Sequence, residues 1–158
     1  MEKLETQSVQ IRHVKSGDLS SIYQLEEACF KDPFPPYFVK QLAEANPDTF
    51  LVAVDDGRVV GYGVVDDWSD HQHLVSLAVL VDWRRRGIGQ ALLDRLVGQL
   101  REGPLRLELR KSNKAALALY LKNGFHQTGV ANSYYRDGED AIQMEKLIEK
   151  KLEVLAPV

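Results

Sequence analysis

The run Arg84-Arg85-Arg86-Gly87-Ile88-Gly89 is the part of this chain whose residue types most plainly suit a ligand. It follows an apolar stretch ending near Val81 and precedes an amphipathic one, so it reads as a strand-to-helix junction. Such a junction aims several backbone N–H groups without intrahelical partners, and the positive end of the helix dipole, at one spot. Glycine at 87 and 89 lets backbone come close to an anion, and the arginines add charge. A phosphate or pyrophosphate suits the place. The bland alternative is a solvated arginine run, but arginine is ordinarily unfavourable at a helix start. The pattern is not a P-loop, because no Gly-Lys-Ser/Thr follows. Nor is it a dinucleotide fingerprint, because arginines follow the strand and the third glycine is missing.

A second candidate lies in Leu105-Arg106-Leu107-Glu108-Leu109-Arg110, where alternation puts three leucines on one face and Glu108 between two arginines on the other. Glu108 on that face is either an ion-pair partner of the arginines or a base. The arginines favour its charged form, which suits a base without bringing its pKa near 7. Cys29 ends an apolar helical stripe (Ile22, Leu25, Ala28) and reads as a core thiol.

These residues need a scaffold, and the composition allows one. At 158 residues, 44% hydrophobic and 27% charged, the chain is expected to be a single domain with its core over about residues 9–147 and a short charged C-terminal tail. A net charge of −3 gives no footprint for nucleic-acid binding. No apolar run approaches the ~18 residues of a membrane helix, and the polar start does not read as a signal peptide. Four scattered histidines and one cysteine supply no metal spacing, and the lone cysteine fits a reducing, cytoplasmic setting.

Periodicity predicts strands at 9–14, 49–54, 58–65, 73–81, 105–110, 125–131 and 140–147. Asp55-Asp56-Gly57 reads as a hairpin turn. Helices are predicted after Ser16 or Asp18 as N-cap, over 37–45, over 87–100 with Gly103-Pro104 ending it, and from Ser112 or Asn113 to Asn123 with Gly124 following. The result is a mixed α/β domain with parallel crossovers beside hairpins.

Three blocks together carry a family resemblance. The Arg-rich motif follows Leu77-Ala78-Val79. A second block runs from Leu107-Glu108-Leu109-Arg110-Lys111-Ser112-Asn113 through Leu119-Tyr120 to Gly124-Phe125. The third is Tyr134-Tyr135-Arg136-Asp137-Gly138-Glu139-Asp140-Ala141. The chain resembles the GNAT acetyltransferases, and the third block resembles their protein N-terminal acetyltransferase branch. Val81 stands where many relatives have proline.

The resemblance implies a GNAT fold, a mixed sheet of about six to seven strands flanked by about four helices. It implies transfer of an acetyl group from acetyl-CoA to protein N-terminal α-amines in a direct ternary complex, without a metal. Leu77, Ala78 and Val79 would hold the acetyl and pantetheine ends, and Arg84, Arg85, Arg86, Gly87, Ile88, Gly89 and Gln90 the pyrophosphate. Asn113 would bond the pantetheine arm. Glu108 would be the base, acting through water, and Tyr120 the acid that protonates the CoA sulfur; without the resemblance Tyr120 reads equally as a core residue. Asp32, Phe34, Pro35 and Tyr37 would form the substrate loop. Tyr134 and Tyr135 would grip the peptide, adjacent strand residues pointing to opposite faces so that only one makes contact. Expected partners are protein or peptide N-termini, from ribosomal protein or nascent chains. The alternatives are a small-molecule amine acetyltransferase and an acyl-CoA-binding regulatory domain without turnover.

Overall fold

The computed structural model describes residues 8–150. Most of the polar start and of the charged tail lies outside the described residues. Seven strands, β1 (Val9–His13), β2 (Phe50–Asp55), β3 (Arg58–Asp67), β4 (Gln72–Val79), β5 (Gly103–Arg110), β6 (His126–Ala131) and β7 (Ala141–Ile148), form one sheet in the order β1-β2-β3-β4-β5-β7-β6. The helices are α1 (Leu19–Cys29), α2 (Pro36–Ala45), α3 (Ile88–Gly98) and α4 (Lys114–Lys122). This is the expected mixed α/β architecture.

Alternation in β2 explains the layering. Leu51 and Ala53 join the apolar cluster containing Leu92, Leu93 and Leu96 of α3 and Tyr120 of α4. Phe50 and Val52 join the opposite cluster, with Ile22 and Leu25 of α1 and Val39 and Leu42 of α2. A strand covered on both faces carries a continuous apolar run. Each fully buried leucine contributes about 1.5–3 kcal/mol of transfer free energy. Close approach of α3 to the sheet depends on Gly63, where a Cβ would lie 2.8 Å from Leu96 Cδ1.

Two local expectations are corrected. Asp18 does not cap α1 with its side chain. Its carboxylate turns back to the Lys15 N–H at 2.7 Å and takes a two-pronged bond from Arg12 at 2.7 and 2.9 Å. It thereby fastens the single turn Ser16–Asp18 that leads into the helix. Helix α3 stops at Gly98, and Gly103-Pro104 already begins β5.

The feature that makes a site is where β4 leaves β5. These two strands are parallel and pair only at Gln72↔Leu105 and His73↔Arg106. Against β3, the register of β4 then slips, with Val64 opposite Ser76 and Val65 opposite Leu74, which leaves Val75 extra. A bulge of this kind bends its strand. Beyond it β4 stays on β3 while β5 stays on β7, and a wedge opens in the middle of the sheet.

Candidate active site

The wedge is a cleft of about 430 Å³. Its walls are Leu74 to Leu77 from β4 and Leu107 to Arg110 from β5. Asn113, Ala116 and Tyr120 close one side, and Glu26, Phe30, Asp32 and Phe34 another. Tyr134, Tyr135 and Arg136 stand at the β6–β7 loop.

Glu108 lines this cleft with its side chain 21% exposed. Its partner is not a flanking arginine. His73 Nε2 lies 2.6 Å from Glu108 Oε2, whereas Arg106 bonds Glu145 across the strand pair at 3.1 Å. Arg110 bonds Asp32, Asp137 and Glu139 at 2.8–3.0 Å. Tyr120 also lines the cleft, 7% exposed, its ring edge-on to Phe125 at 5.3 Å. Burial raises its phenol pKa above the ordinary value, so the hydroxyl stays protonated.

At the β4 end of the site, Leu77 forms cleft wall and Ala78 is buried. The Val79 carbonyl accepts from Arg84 Nε at 2.8 Å and lies 3.7 Å from Cys29 Sγ. Burial raises the Cys29 thiol pKa, which disfavours the nucleophilic thiolate. The Arg84–Gly89 segment turns sharply, with Arg85 at φ 63° and Gly87 at φ 82°. Gly87 is the N-cap of α3 and brings no side chain to cap the helix's first turn. Its leading N–H groups are therefore presented with three arginines beside them, a fit for an anionic diphosphate. The Gln90 side chain is otherwise engaged, with Asn123 at 2.6 Å and Asp94 at 2.8 Å. Asn113 Oδ1 accepts the Ala116 N–H at 3.1 Å, capping α4 at the cleft edge.

On the opposite side, Asp32 and Phe34 face the cleft. Pro35 is the N-cap of α2, and Tyr37, in its first turn, is 68% exposed; neither forms cleft wall. Tyr134 and Tyr135 are not strand residues on opposite faces. They sit in the loop between β6 and β7, rings edge-to-face at 5.0 Å, and both line the cleft. Arg110 lies over the Tyr135 ring at 4.1 Å. Burial lifts both phenols, Tyr135 to about 12, with Glu108's charge adding to the shift of Tyr134.

Two groups were missed from the sequence. Glu26, 1% exposed, takes hydrogen bonds from Tyr62, from Ser76 at 3.4 Å and from the Phe34 N–H at 2.9 Å. Burial raises its pKa. A carboxylate at helical spacing from Ile22 and Cys29 was the available signal. His73 was the other, and a His-x-His alternation on one strand face was its signal. Among the described residues no three His, Cys, Asp or Glu side chains converge as a metal-ligand set.

The pattern of the acetyltransferase (GNAT) family matches residues 19–125. The chain belongs to the GNAT acetyltransferase family. It is 37% identical to an uncharacterized N-acetyltransferase of Methanocaldococcus jannaschii, over 94% of this chain and 96% of that one. It is 35% identical to an N-alpha-acetyltransferase of Sulfurisphaera tokodaii, over 85% and 90%. Among solved structures, the ribosomal-protein-S18-alanine N-acetyltransferase of Escherichia coli superposes with a TM-score of 0.77 at 31% identity, covering 94% of this chain and 99% of that one. This GNAT protein is an acetyl-CoA-dependent N-acetyltransferase.

Proposed function

We infer that this acetyltransferase moves the acetyl group of acetyl-CoA to the N-terminal α-amine of proteins or peptides, directly and within a ternary complex. The observation that carries the reading is that Glu108, Tyr120, Tyr134 and Tyr135 line one cleft, in a chain similar to an N-alpha-acetyltransferase along most of its length. A ribosomal protein or a nascent chain in a cytoplasmic setting is the acceptor this reading favours, and the S18-alanine enzyme's likeness supports it. Among the described residues no helix is long and apolar enough to cross a membrane.

In this mechanism the first turn of α3, with Arg84, Arg85 and Arg86, holds the diphosphate of acetyl-CoA, which supplies the acetyl thioester. The β4 edge at Leu77–Val79, and Asn113 at the start of α4, line the path of its pantetheine arm. An α-ammonium has a pKa of ~7.7–8.0, so much of the acceptor arrives protonated at pH 7. Glu108 takes a proton from it, directly or across one water. Tyr120 serves as donor to the departing sulfur. The acceptor nitrogen's second proton returns to Tyr120, so the phenol is regenerated and that proton is in effect the one that ends on the thiol. Asp32, Phe34, Tyr134 and Tyr135 bound the acceptor end, and Pro35 and Tyr37 shape the loop and helix start behind it.

The test is a pair of peptides with acetyl-CoA, read by mass spectrometry. A peptide with a free N-terminus acquires one acetyl group at its α-amine. One blocked there but carrying lysine stays largely unmodified. Efficient acetylation of lysine or of a polyamine would overturn the reading.

A further inference from the structure

Behind Glu108, three more titratable groups continue in a line to the surface. His73 Nε2 meets Glu108 Oε2 at 2.6 Å, His73 Nδ1 meets His71 Nε2 at 3.0 Å, and His71 Nδ1 meets Asp70 Oδ1 at 2.8 Å. Both imidazoles are buried, at 5% and 7% exposure, while the Asp70 side chain is 73% exposed. Trp68 lies flat on His73, ring centroids 3.8 Å apart and 3° from parallel. The line starts in the cleft and ends in solvent.

Proton counting gives it a meaning. Three hydrogen bonds need three protons, and two neutral imidazoles supply two. The third belongs to Glu108 or turns a histidine into imidazolium. A fully bonded line therefore holds one proton more than its two neutral imidazoles carry. The reaction needs such a place. An α-ammonium loses two protons on becoming an amide; one ends on the thiol sulfur, and the other must reach solvent.

We propose that His73, His71 and Asp70 are the proton outlet of Glu108. The proposal rests on the reading of Glu108 as base. Glu108 passes the proton it has taken to His73 Nε2 while His73 releases its Nδ1 proton to His71 Nε2. His71 releases its own Nδ1 proton to Asp70 and so to water. Only N–H and O–H bonds form and break, one proton enters and one leaves, and Glu108 is again a carboxylate. Both imidazoles finish protonated on Nε2; once the products have left, the hops run back, one proton entering at Asp70 and one leaving Glu108 to water in the emptied cleft, which restores the starting tautomers. The outer end serves both tautomers. His71 Nδ1 donates to Asp70 in one, and in the other it accepts from Arg106 Nη1, 3.5 Å away.

The charged groups around the line are compatible with this traffic. Arg106 lies 3.9 Å from Asp70 and 3.1 Å from Glu145, which tempers its effect on His71. Asp67 also acts on His71, and Asp66 holds the Trp68 indole at 2.9 Å. On the cleft side, Tyr134 and Tyr135 feel the charge of Glu108.

The variants His71→Gln and Asp70→Asn test it. Glutamine can keep a hydrogen bond to His73 but cannot relay a proton. With an N-terminal peptide at pH 7, His71→Gln should lower kcat about tenfold, the low side of proton-transfer effects, with KM unchanged and a larger solvent deuterium isotope effect. The loss should shrink above pH 9, where the amine arrives neutral and needs no outlet. Asp70→Asn, at an exposed position, should show a weaker form of the same pattern. On the resting protein, ¹⁵N-histidine NMR should show His71 and His73 titrating together, both displaced by Glu108→Gln. Independent titrations that ignore Glu108→Gln would overturn the proposal, as would a His71→Gln enzyme with the parent's kcat and pH profile. Failure of the reading of Glu108's reaction would show separately, as a parent protein that leaves the peptide α-amine unmodified, and the NMR titration still decides the outlet.

Discussion

Asp32 and Arg110, 78 residues apart in the chain, meet at 3.0 Å across the mouth of the cleft. Arg110 also holds Asp137 and Glu139 of the β6–β7 loop, and Lys31 adds a longer pair to Asp137 at 3.9 Å. Glu139 in turn accepts the Ser112 N–H at 2.7 Å, and the bonds from Ser112 and Arg110 hold its carboxyl down at about 2. One guanidinium therefore ties the loop before α2, the end of β5 and the loop carrying both tyrosines. Charge as well as ring packing thus holds this side of the cleft together.

That arrangement bears on the tyrosines. If Tyr134 or Tyr135 bonds the acceptor's backbone, removing the hydroxyl should lower kcat/KM for a tetrapeptide about fivefold, the equivalent of roughly 1 kcal/mol. Tyr134→Phe and Tyr135→Phe are to be compared on that peptide and on a simple amine without peptide bonds. Equal losses on both acceptors would remove the tyrosines from peptide recognition.

The two chemical groups separate from structural ones by kinetics. Glu108→Gln and Tyr120→Phe should each reduce kcat by ~10²–10⁴-fold while KM for acetyl-CoA changes little. Both replacements are near-isosteric, so melting temperatures should stay close to the parent's. Preserved kcat with a lowered melting temperature would leave Glu108 as a scaffold residue.

At the start of α3 the two glycines should behave differently. Gly87 sits at φ 82°, where a side chain costs about 1–2 kcal/mol. Gly87→Val should weaken acetyl-CoA binding about 5–30-fold in a calorimetric titration. A Cβ on Gly89 would make only ordinary contacts, 3.9 Å to Val79 and 4.0 Å to Leu119. Gly89→Ala should keep its affinity within about twofold. Equal effects at the two positions would count against a diphosphate held by this turn.

Glu26 gives the protein a pH dependence of known sign. Burial raises its folded-state pKa, so the folded protein holds this proton more tightly than the unfolded chain, where a glutamate titrates near ~4.3. Its contribution to stability is greatest below that value and declines as pH rises to the folded pKa. Thermal unfolding from pH 4 to pH 8 should therefore show the parent losing ground to Glu26→Gln as pH rises. Parallel curves would mean that Glu26 titrates alike in both states.

Sequence periodicity was informative wherever one face of an element meets the core. The leucines of α3 and β5 stand as their spacing predicts, and Asn113 caps α4. Partner choice was not legible. Arg106 and Arg110 flank Glu108 in the chain, yet cross-strand pairing gives Arg106 to Glu145, and distant loops supply the carboxylates that take Arg110. Treating Tyr134 and Tyr135 as adjacent strand residues overlooks that they lie between the expected strands 125–131 and 140–147, which is where the structure has them. Ser133 at φ 51° and Gly138 at φ 88° bracket a loop, and Asp137-Gly138 is an ordinary turn pair. His73 and Glu26 could be placed only once β4 had been laid between α1 and β5.

The two shared rungs between β4 and β5 have a consequence for how this molecule meets other chains. An open sheet normally has two edges, and both face outward, where they are exposed to unwanted pairing. Here the strands part after His73 and Arg106, which creates two more half-edges that face each other inside the cleft. Their peptide groups do not pair with one another, and both half-edges line the cleft. A slender molecule with amide groups of its own can lie between them as a temporary strand, and extended chain ends and pantetheine-like arms have that shape. The fold thus turns these half-edges inward, away from the pairing that an outer edge invites.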